Sequence, residues 1–161
     1  MSKPNYIPEG RHTATPFLCV KDSAKAIEFY VKAFGAKEIS RMTSPDGKSV
    51  MHAQIQIGDS TVCLSDENPQ CGVSSPQTLG GVASTIYLYV PDTDASFKRA
   101  VEAGAEGKMP PADMFWGDRF AAIVDPFGHQ WSFGTRVEEL SFEEMTKRRD
   151  AFFKQMAGAA R

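Results

Sequence analysis

The sequence contains a loose copy of itself. TPFLCVKDSAKAIEFYVKAFGA (15–36) is matched by TIYLYVPDTDASFKRAVEAGA (85–105), with Val20 falling on Val90 and Asp22 on Asp92; Gly35 falls on Gly104 with one residue lost. Each copy runs an alternating strand into an aspartate, then a helical pattern, then a glycine. A chain that repeats strand, cap, helix and stop in that order is constrained to fold as two similar units. Between them, ENPQCGVSSPQTLGGV (67–82) is rich in Pro, Gly and Ser and reads as a linker or long loop.

In the first copy the pattern predicts a strand over 14–20 and a helix over about 23–34. Asp22 or Ser23 caps that helix and Gly35 lies just past it. Ile27, Tyr30, Val31 and Phe34 recur at helical spacing and give one apolar face. A strand at 37–43, the turn SPDGK, and strands at 49–57 and 60–66 complete the unit. The second copy repeats this with a strand at 84–90, a helix at 93–103, a short strand near 106–111, and strands at 118–124 and 129–135. Both copies read βαβββ. Ser141 with Glu144 forms a capping box for a third helix (142–157), with Met145, Phe152, Phe153 and Met156 on its apolar face and Lys147, Arg148 and Arg149 on a solvated one. The expected protein is therefore α+β, two tandem βαβββ modules with a C-terminal helix. Its parts are an N-terminal arm (1–12), a first module (13–66), a linker (67–82), a second module (83–137) and a C-terminal helical tail (138–161).

Gly58-Asp59 between alternating runs signals a two-residue hairpin, which fixes a register. Gln56 then faces Thr61, Gln54 faces Cys63 and His52 faces Ser65, all on one sheet face; Met51, Ala53, Ile55, Ile57, Val62 and Leu64 take the helix-covered face. Treating Asp125–Gly128 as a four-residue loop pairs Val124 with His129. That register puts Phe120, Ala122, Val124, Trp131 and Phe133 toward the helix, and Arg119, Ala121, Ile123, Gln130 and Ser132 on the open face. Leu18, Val20, Leu88 and Val90 point to the helices, while Thr15, Phe17, Cys19, Thr85, Tyr87 and Tyr89 point away. Two such sheets related by a pseudo-twofold would enclose a groove of the kind that holds small molecules.

With 18 basic and 20 acidic residues the net charge is −2, which offers no basic stripe for nucleic acid. No apolar run is long enough to span a bilayer, and MSKPNYIPEGRH lacks the apolar stretch of a signal peptide, so no membrane partner and a cytoplasmic location are expected. Cys19, Cys63 and Cys71 are odd in number and lack CxxC spacing, which fits free thiols. His12, His52 and His129 are scattered, and HExxH is absent.

The paired modules, with VKDSAKAIEFYVKAFGA, MHAQIQIGD, FWGDR and DPFGHQWSF, resemble the vicinal oxygen chelate superfamily of glyoxalase I, extradiol dioxygenases and fosfomycin- and bleomycin-resistance proteins. IPEGRHTATPFLCV together with FWGDRFAAIVDPFGH is most similar to its PhnB-like branch. The resemblance covers about 8–146 and implies the glyoxalase/bleomycin-resistance fold. It also implies metal ligands, usually His and Glu, on the first and last strands of each module in the metal-dependent members. Here those positions carry Thr15, Cys63, Thr85 and Ser132. Hydroxyls are poor ligands for a divalent transition metal, so such a metal is disfavoured and no cofactor is expected; His52 with Cys63 is the rearranged pair that could still hold one.

The expected function is binding of a small, flat, partly apolar molecule with an anionic or polar group, in a groove of a homodimer. Phe17, Gln54, Cys63, Tyr87, Tyr89, Trp116 and Arg119 are the candidate binding residues, and Trp116 with Arg119 form the leading pair, for stacking and for a forked salt bridge. Against that, Trp116 can simply cover an edge and Arg119 can pair with Asp118, Asp125 or another acid. His52 is the candidate general acid or base, against a plain hydrogen-bonding role. Cys63 is a candidate nucleophile, against a small filler. His129, after the DPFG turn, is expected to order that turn. The alternatives are a metal-dependent glyoxalase-type lyase or isomerase, and drug sequestration of the bleomycin-resistance type.

Overall fold

The structure is a computed structural model describing residues 4–159; residues 1–3 of the expected arm and 160–161 of the tail lie outside the described residues. It contains two four-stranded mixed sheets. The first module comprises β1 (Phe17–Val20), α1 (Ser23–Phe34), β2 (Lys37–Thr43), β3 (Val50–Ile57) and β4 (Ser60–Asp66), in sheet order β1-β4-β3-β2. The linker holds a single 3-10 turn (Pro69–Cys71) and a short helix, α2 (Pro76–Leu79), where the sequence reads only as loop. The second module comprises β5 (Thr85–Tyr89), α3 (Thr93–Glu102), β6 (Glu106–Asp113), β7 (Asp118–Val124) and β8 (Gln130–Arg136), in order β5-β8-β7-β6. In each sheet the first strand lies parallel to the last, and the remaining pairs are antiparallel. The long α4 (Phe142–Ala159) follows, started by the Glu144 amide donating to Ser141 Oγ. The fold is α+β, built from two βαβββ modules. No helix among the described residues is long and apolar enough to cross a membrane.

The repeated aspartate does the same work twice. Asp22 accepts the Lys25 amide at 3.0 Å and Asp92 accepts the Ala95 amide at 2.9 Å, so both helices start on a carboxylate that satisfies an orphan amide. The buried stripe of α1 runs Ala26, Ile27, Phe29, Tyr30 and Ala33. Val31, expected on that face, is 45% exposed. In β3, Met51 also departs from expectation. A register irregularity between Met42 and Thr43 turns Val50 inward and leaves Met51 exposed.

The first hairpin has the expected register over Gln54–Cys63 and Gln56–Thr61. The second does not. Val124 pairs with Gln130, Ile123 with Trp131 and Ala122 with Ser132, so the loop is one residue longer than Asp125–Gly128. The cause is Asp125. Its carboxylate accepts the amides of Phe127 and His129 while its own amide donates to the His129 carbonyl, and Gly128 turns the chain at φ 91. A slip of one residue reverses every side chain on a strand. Ala121 and Ile123 are therefore buried under α3 beside Trp131 and Phe133, with Arg119 on that same face, while Phe120, Ala122 and Val124 take the open face.

The modules meet through their covered faces. Phe34 lies 4.7 Å from Trp131 and Tyr30 lies 5.4 Å from it (ring centroids), within one continuous core. Tyr30 and Trp131 are fully buried, and an aromatic ring of this size contributes on the order of 4–6 kcal/mol by area, an upper bound. Three polar ties cross the same seam. The Tyr30 hydroxyl donates to Asp125 (2.8 Å), Arg99 Nε donates to the Ala33 carbonyl (2.8 Å), and His129 Nε2 donates to the Cys19 carbonyl (2.9 Å). A carbonyl only accepts, so His129 carries its proton on Nε2. His129 thus orders its turn, and it also ties that turn to β1.

The linker is pinned by Glu67. Its carboxylate accepts from the Thr78 hydroxyl, the Ser75 amide and the Ser75 hydroxyl at 2.7–3.0 Å, and these bonds hold it down at about 2. A carboxyl lowered in the folded state stabilises it fully above the unfolded value of 4.5, and that contribution fades as pH falls toward 2. We expect the Ser75 and Thr78 amides to lose exchange protection between those limits, and to be insensitive to pH in Glu67→Gln. Protection that stays unchanged in the parent protein down to the lower limit would contradict this.

Candidate functional site

The open faces of the two sheets carry different chemistry. On the first, Phe17 lies beside Cys63 on the parallel partner strand, and Cys63 faces Gln54 across the hairpin. His52 lies two residues along from Gln54, its ring 5.6 Å from that of Phe17. Arg11, from the arm before β1, reaches over this face and donates to Gln54 Oε1. Gln54 Nε2 in turn lies 3.0 Å from His52 Nε2. A guanidinium only donates, so the Gln54 oxygen must accept and its amide nitrogen must donate. His52 Nε2 is therefore an acceptor and the ring proton sits on Nδ1, which has no hydrogen-bond partner among the described residues. The lone pair a general base would use is already engaged.

On the second face, Tyr87 and Tyr89 lie 5.0 Å apart, Phe120 lies 5.8 Å from Tyr87, and Trp116 lies 5.9 Å from Phe120. The Tyr87 hydroxyl donates to the buried Asp118 at 3.1 Å. Partial burial, followed by that hydrogen bond and the Asp118 charge, holds the Tyr87 phenol above the ordinary tyrosine range, so it remains a donor. The ring lies directly over Gly134, where an added Cβ would stand 2.0 Å from the hydroxyl oxygen and 2.7 Å from ring carbons. Only glycine admits the tyrosine there.

Arg119 is elsewhere. With the faces of β7 exchanged, its guanidinium pairs with Asp94 on α3 and with Asp113 at the end of β6 (3.0 Å), so its cation is already matched by two carboxylates. Of the two expectations for Arg119, pairing with an acid is the one these ion pairs match. Thr15 donates to the His12 carbonyl and Thr85 to Gln130, while Ser132 lies buried opposite Ala122. Among the described residues no three His, Cys, Asp or Glu side chains gather so as to hold a metal ion. Two threonines, a serine and a buried cysteine do not fit a divalent transition metal. The Cys19 thiol is pushed up by burial and then by Glu67 and Asp66, which disfavours its thiolate.

A cleft of about 770 Å³ opens at the seam, between β1, the linker and the start of β5. Its imidazole, His129, already spends Nε2 on the Cys19 carbonyl, and Ser74, Ser84 and Gln130 add polar groups to an otherwise apolar lining. Among the described residues no ring contact joins the two open faces. Each is a cluster within its own module. The residues not singled out from sequence are Arg11, Phe120, Asp118 and Gly134. Phe120 was hidden by the slipped register, and Arg11 by a contact across 43 positions.

Residues 11–133 match the Glyoxalase/Bleomycin resistance protein/Dioxygenase superfamily. The chain belongs to that superfamily. An uncharacterized protein of Mycobacterium tuberculosis (strain ATCC 25618 / H37Rv) is 48% identical over 134 residues, covering 81% of this chain and 78% of its own. A gene product of Arabidopsis thaliana with a solved structure superposes at TM-score 0.62 and 27% identity over 76% of this chain and 98% of that one. The fosfomycin resistance protein FosX of Listeria monocytogenes, solved with Mn(II) and sulfate, superposes at TM-score 0.61 and 20% identity over 86% and 97%, a likeness of fold alone.

The Tyr87 platform is testable without a ligand. Gly134→Ala should expel the ring, lower stability by about 1–3 kcal/mol and move one tyrosine, identified by comparison with Tyr87→Phe, to ionise at lower pH. Ultraviolet titration reads this directly. An unchanged titration would mean that Gly134 does not place Tyr87.

Proposed function

We propose that this superfamily member, of the PhnB-like kind, binds a small planar organic molecule on the open faces of its modules and does so without a divalent metal. The observation that carries the reading is the aromatic platform of the second sheet. Tyr87 is 38% and Tyr89 74% exposed, yet Tyr87 is fixed by Asp118 and by the absence of a Cβ at Gly134. A fixed aromatic surface left open to water suits stacking on a flat partner. Phe17, Gln54 and Cys63 line the other face, and Trp116 borders the platform through Phe120. A homodimer fits the same picture. Phe17, Met42 and Tyr89 are exposed, and a second copy that covered them would turn two open faces into an enclosed groove. Free thiols at Cys19, Cys63 and Cys71 suit a reducing, cytoplasmic compartment. His52 serves this reading as a hydrogen-bond donor rather than as a base.

The test pairs metal analysis with binding. Protein purified without chelator should carry substoichiometric transition metal, sediment as a dimer and be stabilised by planar aromatic compounds in a thermal-shift screen. Tyr89→Ala and Trp116→Ala should each weaken the best hit roughly two- to tenfold, the value of one stacking contact. Near-stoichiometric nickel, zinc, iron or manganese, together with turnover of a methylglyoxal–thiol adduct, would replace this reading with a lyase of glyoxalase type.

A further inference from the structure

Arg11 differs from the other described arginines. Arg41, Arg119, Arg136, Arg148 and Arg149 each meet a carboxylate, and Arg99 donates to the carbonyl of Ala33 at the end of α1. Arg11 meets no carboxylate and no helix end among the described residues. Its described side-chain partner is a neutral amide, Gln54 Oε1, and no carboxylate among the described residues lies within ion-pairing distance of it. It is also half-buried against the open face of the first sheet rather than waving in solvent. A cation drawn from water onto a polar face without a counter-charge is poorly compensated, and an anion that binds there would restore the balance.

The surroundings narrow the anion. The guanidinium fork matches a planar carboxylate, giving two parallel N–H···O bonds. The same Arg11–Gln54–His52 chain that orients Gln54 leaves the His52 Nδ1–H as a second, unspent donor on this face. Phe17, 56% exposed and 5.6 Å from the His52 ring, offers an apolar surface beside these donors for a flat molecule. Lys37 lies opposite Gln56, two residues along the strand from Gln54, and Arg41, opposite Ala53, already pairs with Glu38. One cation with neutral donors is suited to a single negative charge, whereas a phosphate dianion calls for more.

We infer that Arg11, held in place by Gln54, anchors the carboxylate of an aromatic monocarboxylate whose ring lies against Phe17. This rests on the small-molecule reading above and names its ligand class. Benzoate, its neutral isostere benzamide and inorganic phosphate serve as probes, titrated by ligand-observed NMR against the full chain. Benzoate should bind at least about tenfold tighter than benzamide, and phosphate should displace it poorly. Two variants report on the anchor. Arg11→Ala removes the cation, and Gln54→Glu keeps the arginine but supplies it with an internal carboxylate. Both should erase the preference for benzoate over benzamide while leaving the melting temperature near its parental value.

Equal affinity for benzoate and benzamide, or a benzoate preference that survives in either variant, would overturn the anchor while the small-molecule reading stands. Phosphate competing as strongly as benzoate would overturn the carboxylate assignment. No saturable binding of any planar probe would overturn both.

Discussion

One buried carboxylate sets the geometry on which the rest of this structure depends. Asp125, 3% exposed, accepts four hydrogen bonds: two from the backbone of its own loop, one from Trp131 Nε1 in its own sheet, and one from the Tyr30 hydroxyl in the other module. The aromatic core between α1 and β8 supplies most of the energy that joins the modules, because ring burial outweighs a single hydrogen bond several-fold. Greasy surfaces alone are tolerant of sliding, however, and a buried carboxylate is not. Moving either Tyr30 or Trp131 away would strand a charge without its donors, so the carboxylate selects one arrangement among those the core would accept.

That arrangement has a consequence on the opposite side of the sheets. By using the loop after β7 for its own solvation, Asp125 sets the register that turns Ala121 and Ile123 inward and Phe120 outward. Phe120 is the ring that links Trp116 to Tyr87, so the aromatic platform is built by the same carboxylate that holds the seam. The first sheet arrives at a different surface from the same topology. It carries donors, Arg11, Gln54 and His52, where the second carries rings. The repeated topology gives two equivalent faces, and the side chains on them make one half polar and the other aromatic.

The architecture was legible because it depends on local signals repeated twice: an aspartate cap, a helical stripe and a stop. The first sheet's faces could be read from the Gly58-Asp59 turn, since a two-residue hairpin leaves no freedom of register. The second hairpin failed the same reading for a physical reason. Nothing within DPFGH states that Asp125 is buried and will draw His129 into the loop, because two of its donors, Tyr30 and Trp131, come from outside the loop and one comes from the other module. Arg119 was misplaced by that slip, and its partner Asp94 sits on a helix that the sequence could not orient against β7. Arg11 was passed over because an arginine in an irregular arm has no periodicity to read, and only the folded chain brings it to Gln54. Met51 shows the same limit on a smaller scale, as one bulge against the edge strand undoes a clean alternation.

The claim that a carboxylate couples the modules is tested most directly by a double-mutant cycle across the seam. Tyr30→Phe removes one donor, Asp125→Asn removes the charge, and the double variant removes both, with unfolding free energies measured in urea. The account predicts that each single change is destabilising and that the pair is non-additive by about 1 kcal/mol or more, the second change costing less once the first is made. Additivity within about 0.3 kcal/mol would show that Tyr30 and Asp125 act independently, and that packing alone holds the two halves together.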